Sequence, residues 1–115
     1  MSELNSFGSV LSFAIEMEGA LRDYYLATGH DALSAEAVKR REKLERVRRE
    51  NVVEITLEPI DGLNAADYSL NFSAGTAAVE ASAARFYLDA APKINVRSAQ
   101  RALEQCAKQH QELAG

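Results

Sequence analysis

Disulfide partners, helix breakers, long apolar runs and a basic surplus are all missing or scarce in this sequence. The single cysteine, Cys106, has no internal partner, so the fold draws on no disulfide and needs no oxidising compartment. Two prolines and six glycines in 115 residues are too few for a turn-rich β architecture, and abundant alanine favours helix. No stretch approaches the ~20 consecutive apolar residues of a membrane span. The opening residues, Met1-Ser2-Glu3-Leu4-Asn5, lack the basic start and apolar run of a signal peptide, which makes the cytoplasm the expected location. A net charge of -4 argues against a general affinity for nucleic acid or for an anionic membrane. No phosphate loop, zinc-type cysteine pair or Ser/His/Asp arrangement is present.

What is present is helical periodicity. With 47% hydrophobic and 26% charged residues, a chain of this length is expected to form one domain, residues 1–115, that buries roughly two-thirds of its unfolded surface. Over residues 5–28, Phe7, Leu11, Ala14, Glu18, Leu21, Tyr25 and Thr28 recur at alternating steps of four and three and so share one helical stripe, which Val10 and Met17 widen. Gly29 is expected to stop this helix, Ser34 to cap the next, and Glu36 to complement the dipole of its first turn.

That second helix is expected over 35–55, with Leu33, Ala37, Leu44, Val47, Asn51 and Ile55 near one face. Residues 57–71 contain Pro59 and Gly62 and keep no helical period, so they read as a long connection with a short turn around 65–68. A third helix begins between Ser73 and Thr76 and ends by Pro92, with Thr76, Glu80, Ala83, Tyr87 and Ala90 on its stripe and Val79 and Phe86 beside it. Asn95 is expected to cap a fourth helix that carries Val96, Ala99, Leu103, Cys106, His110 and Leu113 inward. The short connections make antiparallel neighbours within each hairpin, so the expected fold is an all-α, antiparallel four-helix bundle with one long crossover.

The two halves are alike. Glu18 is followed seven residues later by Tyr25, in Tyr24-Tyr25-Leu26, and Glu80 seven later by Tyr87, in Phe86-Tyr87-Leu88. Leu44-Glu45 precedes Asn51 by the same interval that separates Leu103-Glu104 from His110, the pattern of an internal duplication.

Two hairpins, a long crossover and an inward glutamate on the first and third helices resemble the ferritin-like superfamily, and Phe13-Ala14-Ile15-Glu16-Met17-Glu18-Gly19 resembles the first helix of its rubrerythrin-like members. The resemblance covers all four helices. It implies a di-iron or di-manganese centre with one Glu from each of two helices and an E-x-x-H pair from each of the others. Glu18 and Glu80 match the single-Glu positions. The expected pairs instead read Arg48-x-x-Asn51 and Ala107-x-x-His110, so three of six ligands remain: Glu18, Glu80 and His110. A slipped register on the fourth helix offers Gln109-x-x-Glu112, with Glu112 a fourth candidate.

Carboxylates on core stripes need partners, because an unpaired buried charge costs several kcal/mol. Arginine can neutralise them as a metal would. The favoured reading is a buried polar network of Glu18, Arg48, Asn51, Glu80 and His110, with Tyr25 and Tyr87 as hydrogen-bond partners or simple packing residues. The alternatives are a modified iron or manganese site used in oxidation or metal handling, and exposed helix-surface residues. No cofactor is expected on the favoured reading, and no catalytic residue is assigned. His30 is expected in a solvated turn. Cys106 reads as a small buried residue rather than a nucleophile.

Residues 39–50 hold seven Lys/Arg and three Glu. Glu42 with Arg46 and Glu45 with Arg49 are spaced for i,i+4 pairs, no aromatics interleave for base stacking and the remainder of the chain is acidic, so a solvated face is favoured over a nucleic-acid patch, with an intersubunit contact to an acidic neighbour at least as plausible as the latter. The expected partners are a second copy of the chain, as a homodimer, or another protein.

Overall fold

The computed structural model describes residues 4–51 and 60–115, and within them the protein is all-helical. Four α-helices, α1 (Phe7–Ala27), α2 (Asp31–Glu50), α3 (Thr76–Ala90) and α4 (Arg97–Ala114), are accompanied by 3-10 turns at Ala65–Tyr68, Phe72–Ala74 and Ala91–Lys93. Among the described residues, no helix is long and apolar enough to cross a membrane.

Local chemistry sets most of the boundaries. Ser6 caps α1: its hydroxyl accepts from the Ser9 backbone N–H at 3.0 Å, and the Ser9 hydroxyl accepts from the Ser6 backbone N–H at 3.0 Å. Two of the four orphan donors of the first turn are thereby satisfied. α1 ends at Ala27 with Thr28 as its C-cap, and the next residue, Gly29, has a φ of +80°, in the left-handed region that glycine enters without a Cβ penalty. α2 then begins at Asp31, four residues earlier than its periodicity predicts, with Asp31 itself as the acidic residue of the first turn. Ser34 is therefore inside the helix and does not cap it. Its hydroxyl donates to the Arg22 carbonyl of α1 at 3.0 Å.

α2 is helical to Glu50, and Asn51 follows as its C-terminal cap. Ile55, at the expected end of this helix, and residues 57–59 of the expected crossover lie outside the described residues. On α4, Val96 rather than Asn95 immediately precedes the first helical residue, and Val96 makes no side-chain capping hydrogen bond. Gly75, at φ +99°, turns the chain into α3.

α1 packs along α2 and α3 along α4, and α2 also touches α4. The core between them joins Val10, Leu11, Leu21 and Tyr25 to Leu44, Phe86, Tyr87 and Leu103. α3 and α4 turn many small residues inward, among them Ala83, Ala90, Ala99, Ala102 and Ala107. Small side chains there leave room for large ones from the facing helices: Phe13 meets Phe86 with ring centroids 4.8 Å apart, a separation favourable for tilted aromatic pairs.

Candidate functional site

The inward stripes of the helices carry charge into the middle of this core. Glu18 on α1, Glu80 on α3 and His110 on α4 are each fully buried, as are Tyr25 and Tyr87. Such burial is tolerable only if every polar atom finds a partner, and here the four carboxylate oxygens all do. Glu18 Oε1 accepts from Arg40 Nε at 2.9 Å. Glu18 Oε2 accepts from the Tyr87 hydroxyl at 2.6 Å and lies 2.8 Å from His110 Nε2. On the other carboxylate, Oε1 meets His110 Nδ1 and Oε2 accepts from the Tyr25 hydroxyl.

The tyrosines are exchanged between the halves. Tyr25 lies two turns along α1 from Glu18 yet bonds Glu80, while Tyr87 lies two turns along α3 from Glu80 yet bonds Glu18. The repeated Glu and Tyr thus tie the two hairpins together across the core. His110 stands between the carboxylates with its ring stacked on Tyr87, the planes 6° apart and the centroids at 5.5 Å.

Five of the expected network residues therefore meet, Glu18, Glu80, His110, Tyr25 and Tyr87, and two do not. Arg48 is exposed. It lies eight residues beyond Arg40, about 12 Å further along the helix axis, and the cation that reaches Glu18 is Arg40, only 4% exposed. Asn51 is buried but outside the network: its amide donates to the Val47 carbonyl at 2.8 Å and to the Ser98 hydroxyl at 3.1 Å. Glu112 is exposed as well, and its partner in the slipped register, Gln109, instead accepts from Arg40 Nη1 at 3.1 Å. His30 is exposed at the turn between α1 and α2, where its Nδ1 lies 2.9 Å from the Thr28 hydroxyl. On the α2 surface, Glu45 pairs back with Arg41 at 3.6 Å rather than forward with Arg49.

Arg40 has a sequence signal. Leu33, Ala37, Leu44, Val47 and Asn51 leave one gap in an alternation of four and three, and Arg40 fills it. Counting outward from Gly29 leads to the same residue, since Glu18 and Arg40 lie at equal distances on either side of that turn and come level in an antiparallel hairpin.

The electrostatics follow from this packing. Burial alone would raise the Glu18 carboxyl, but His110 and Arg40 outweigh it and hold Glu18 below its ordinary 4.5. Burial alone would lower His110, and its bonds to Glu18 and Glu80 raise it above 6.5 instead. Both ring nitrogens face carboxylate oxygens, and only an imidazolium donates from both. Two glutamates thus face one guanidinium and one imidazole, a group whose formal charges balance when His110 donates from both nitrogens. Burial pushes both tyrosine hydroxyls up, reinforced by the neighbouring carboxylates, so they remain donors. One donor is left over: Arg40 Nη2 is buried without a hydrogen-bond partner, at a cost of about 1–3 kcal/mol.

No protein-family model, curated protein or solved structure matches the chain. Among the described residues, no group of three or more His, Cys, Asp or Glu is arranged to hold a metal ion. Glu18 and Glu80 are instead engaged on opposite nitrogens of His110.

Proposed function

We propose that this chain is a ferritin-like four-helix bundle whose centre is a self-neutralising ion network, and that it serves as a structural or protein-interaction module rather than as a metal enzyme. The observation that carries this reading is the Arg40–Glu18 ion pair within a group whose four carboxylate oxygens are all engaged. A di-iron or di-manganese centre would bring four positive charges to two carboxylates already facing a permanent guanidinium, and the family's centre uses four carboxylates and two histidines. The donor set does not fit that centre. The complete burial of Glu18, Glu80 and His110 further favours a structural role, since no substrate reaches a side chain with no accessible surface.

A modified iron or manganese site is the second reading, favoured by the convergence of Glu18, Glu80 and His110 from three helices. It requires His110 to give up a proton and a carboxylate. Elemental analysis separates the two readings, on protein from iron- and manganese-supplemented cells and again after anaerobic loading with ferrous or manganous ion. The expected result is far less than one ion per chain, and stoichiometric metal overturns the proposal. A cytoplasmic homodimer remains the expected setting on the ferritin-like reading, and sedimentation velocity reads the oligomeric state directly.

A further inference from the structure

Lys43 and Arg46 of α2 and Arg97 and Arg101 of α4 converge on one cleft of about 480 Å³, in which Glu50 is the one acidic lining residue among those described. The three arginines are exposed. None of these four cations forms an ion pair among the described residues, in contrast to Arg22, Lys39, Arg40, Arg41 and Arg85, which do. Lys43 is held by Gln105 across the cleft, so its ammonium is positioned without being neutralised.

A concentration of like charge is unfavourable to the free protein, and here it stands in a chain of net charge -4. Arg97 and Arg101 are one turn apart on the same face, about 6 Å along the axis, and they look across to Lys43 and Arg46 on a helix about 8–10 Å away. Carboxylates spaced along a short segment match that grid, and the Ser98 hydroxyl on the cleft wall supplies a further polar contact. We propose that this cleft docks an acidic peptide segment of a partner protein, an inference that rests on the interaction-module reading and gives its partner a chemistry. Nucleic acid fits less well. Among the described residues no aromatic lines the cleft for base stacking, and the acidic remainder of the chain repels a long polyanion while leaving a short acidic segment within reach of the local cations.

The test uses the full chain and a fluorescein-labelled octapeptide of Glu and Asp, followed by fluorescence anisotropy at low salt, with the Gln/Asn octapeptide and an oligo(dT) strand as comparison probes. Saturable binding of the acidic peptide is expected. It should weaken at least tenfold in Arg97→Glu/Arg101→Glu and change less than threefold in Arg48→Glu/Arg49→Glu, which carries the same charge change on residues that do not line the cleft. Circular dichroism verifies that these surface variants fold. Absence of saturation at millimolar peptide, equal losses in the two variants, or tighter binding of oligo(dT) overturns the proposal. So does a wild-type dimer that dissociates in Arg97→Glu/Arg101→Glu, because a second copy would then occupy the cleft. Failure here leaves the core reading standing, since metal content is measured on protein with the cleft unaltered.

Discussion

Arg40 and Glu18 form an ion pair of 2.9 Å with 4% and 0% of their side chains exposed, linking α2 to α1 in the interior of the protein. Burial works against both charges. The guanidinium nevertheless stays above its ordinary value, because Glu18 outweighs the burial. Breaking such a pair from one side leaves a charge stranded, typically at a cost of about 3–5 kcal/mol. Arg40→Met should therefore destabilise the protein by about that amount in urea unfolding. Arg48→Met, at the exposed position, should change stability by no more than about 0.5 kcal/mol. Equal effects of the two variants would show that Arg40 is not the buried partner of Glu18.

The exchanged tyrosines make a pairwise prediction. Tyr25→Phe and Tyr87→Phe each remove one hydroxyl donor from a buried carboxylate and should each cost about 1–3 kcal/mol. Double-mutant cycles should show coupling of Tyr25 with Glu80 and of Tyr87 with Glu18, using Glu→Gln as the second change. The pair Tyr25 with Glu18 shares a helix without a hydrogen bond and should couple less. A cycle in which the same-helix pairs couple more strongly would contradict the exchange.

Stability should depend on pH from both sides. His110 is raised above 6.5 in the folded protein, so its contribution is complete below that value and is lost as pH climbs through the folded one. Glu18 is held below 4.5, so its contribution is complete above that value and is lost as pH falls through the folded one. The maximum of these two contributions lies between 4.5 and 6.5. Urea midpoints measured across pH should decline on the alkaline side in the wild type, and His110→Gln should remove the part of that decline due to the histidine. An unchanged alkaline slope in the variant would show that His110 is not the titrating group.

Cys106 should be chemically silent in the folded state. It is 2% exposed, and burial, with the Glu18 charge adding to it, pushes its thiol up to about 12, leaving almost no thiolate at neutral pH. A disulfide reagent should label it at the rate of global or local opening, accelerated by urea. Rapid labelling in native buffer would place the thiol at the surface.

The stripes were legible because a buried helical face repeats in steps of four and three whatever its chemistry, and this placed Glu18, Glu80, Tyr25, Tyr87 and His110 inward. Arg40 was legible by the same rule, but a charged residue in the stripe reads as an interruption, and its neighbours Lys39 and Arg41 disguise it as one more member of a solvated run. Arg48 falls at a ligand position only through the family resemblance, which fixes a register from a motif that this sequence does not contain. Which tyrosine serves which carboxylate is a property of how α1 and α3 face each other, and no spacing within one helix carries it. The caps misled for a local reason: Ser34 and Asn95 have the right side chains for capping, but Gly29 and the 3-10 turn Ala91–Lys93 set where the helices begin.

The protonation state of His110 decides whether the buried group is an ion network. In protein labelled with nitrogen-15 at histidine, long-range proton–nitrogen correlation spectra at pH 6 report both ring nitrogens separately, and exposed His30 serves as the internal comparison. An ion network requires that Nδ1 and Nε2 of His110 are both protonated, with N–H protons shielded from exchange, and that adding ferrous or manganous ion under anaerobic conditions leaves these signals unchanged. A neutral ring with one bare nitrogen, or loss of the His110 signals on stoichiometric metal addition while the rest of the spectrum persists, would contradict it.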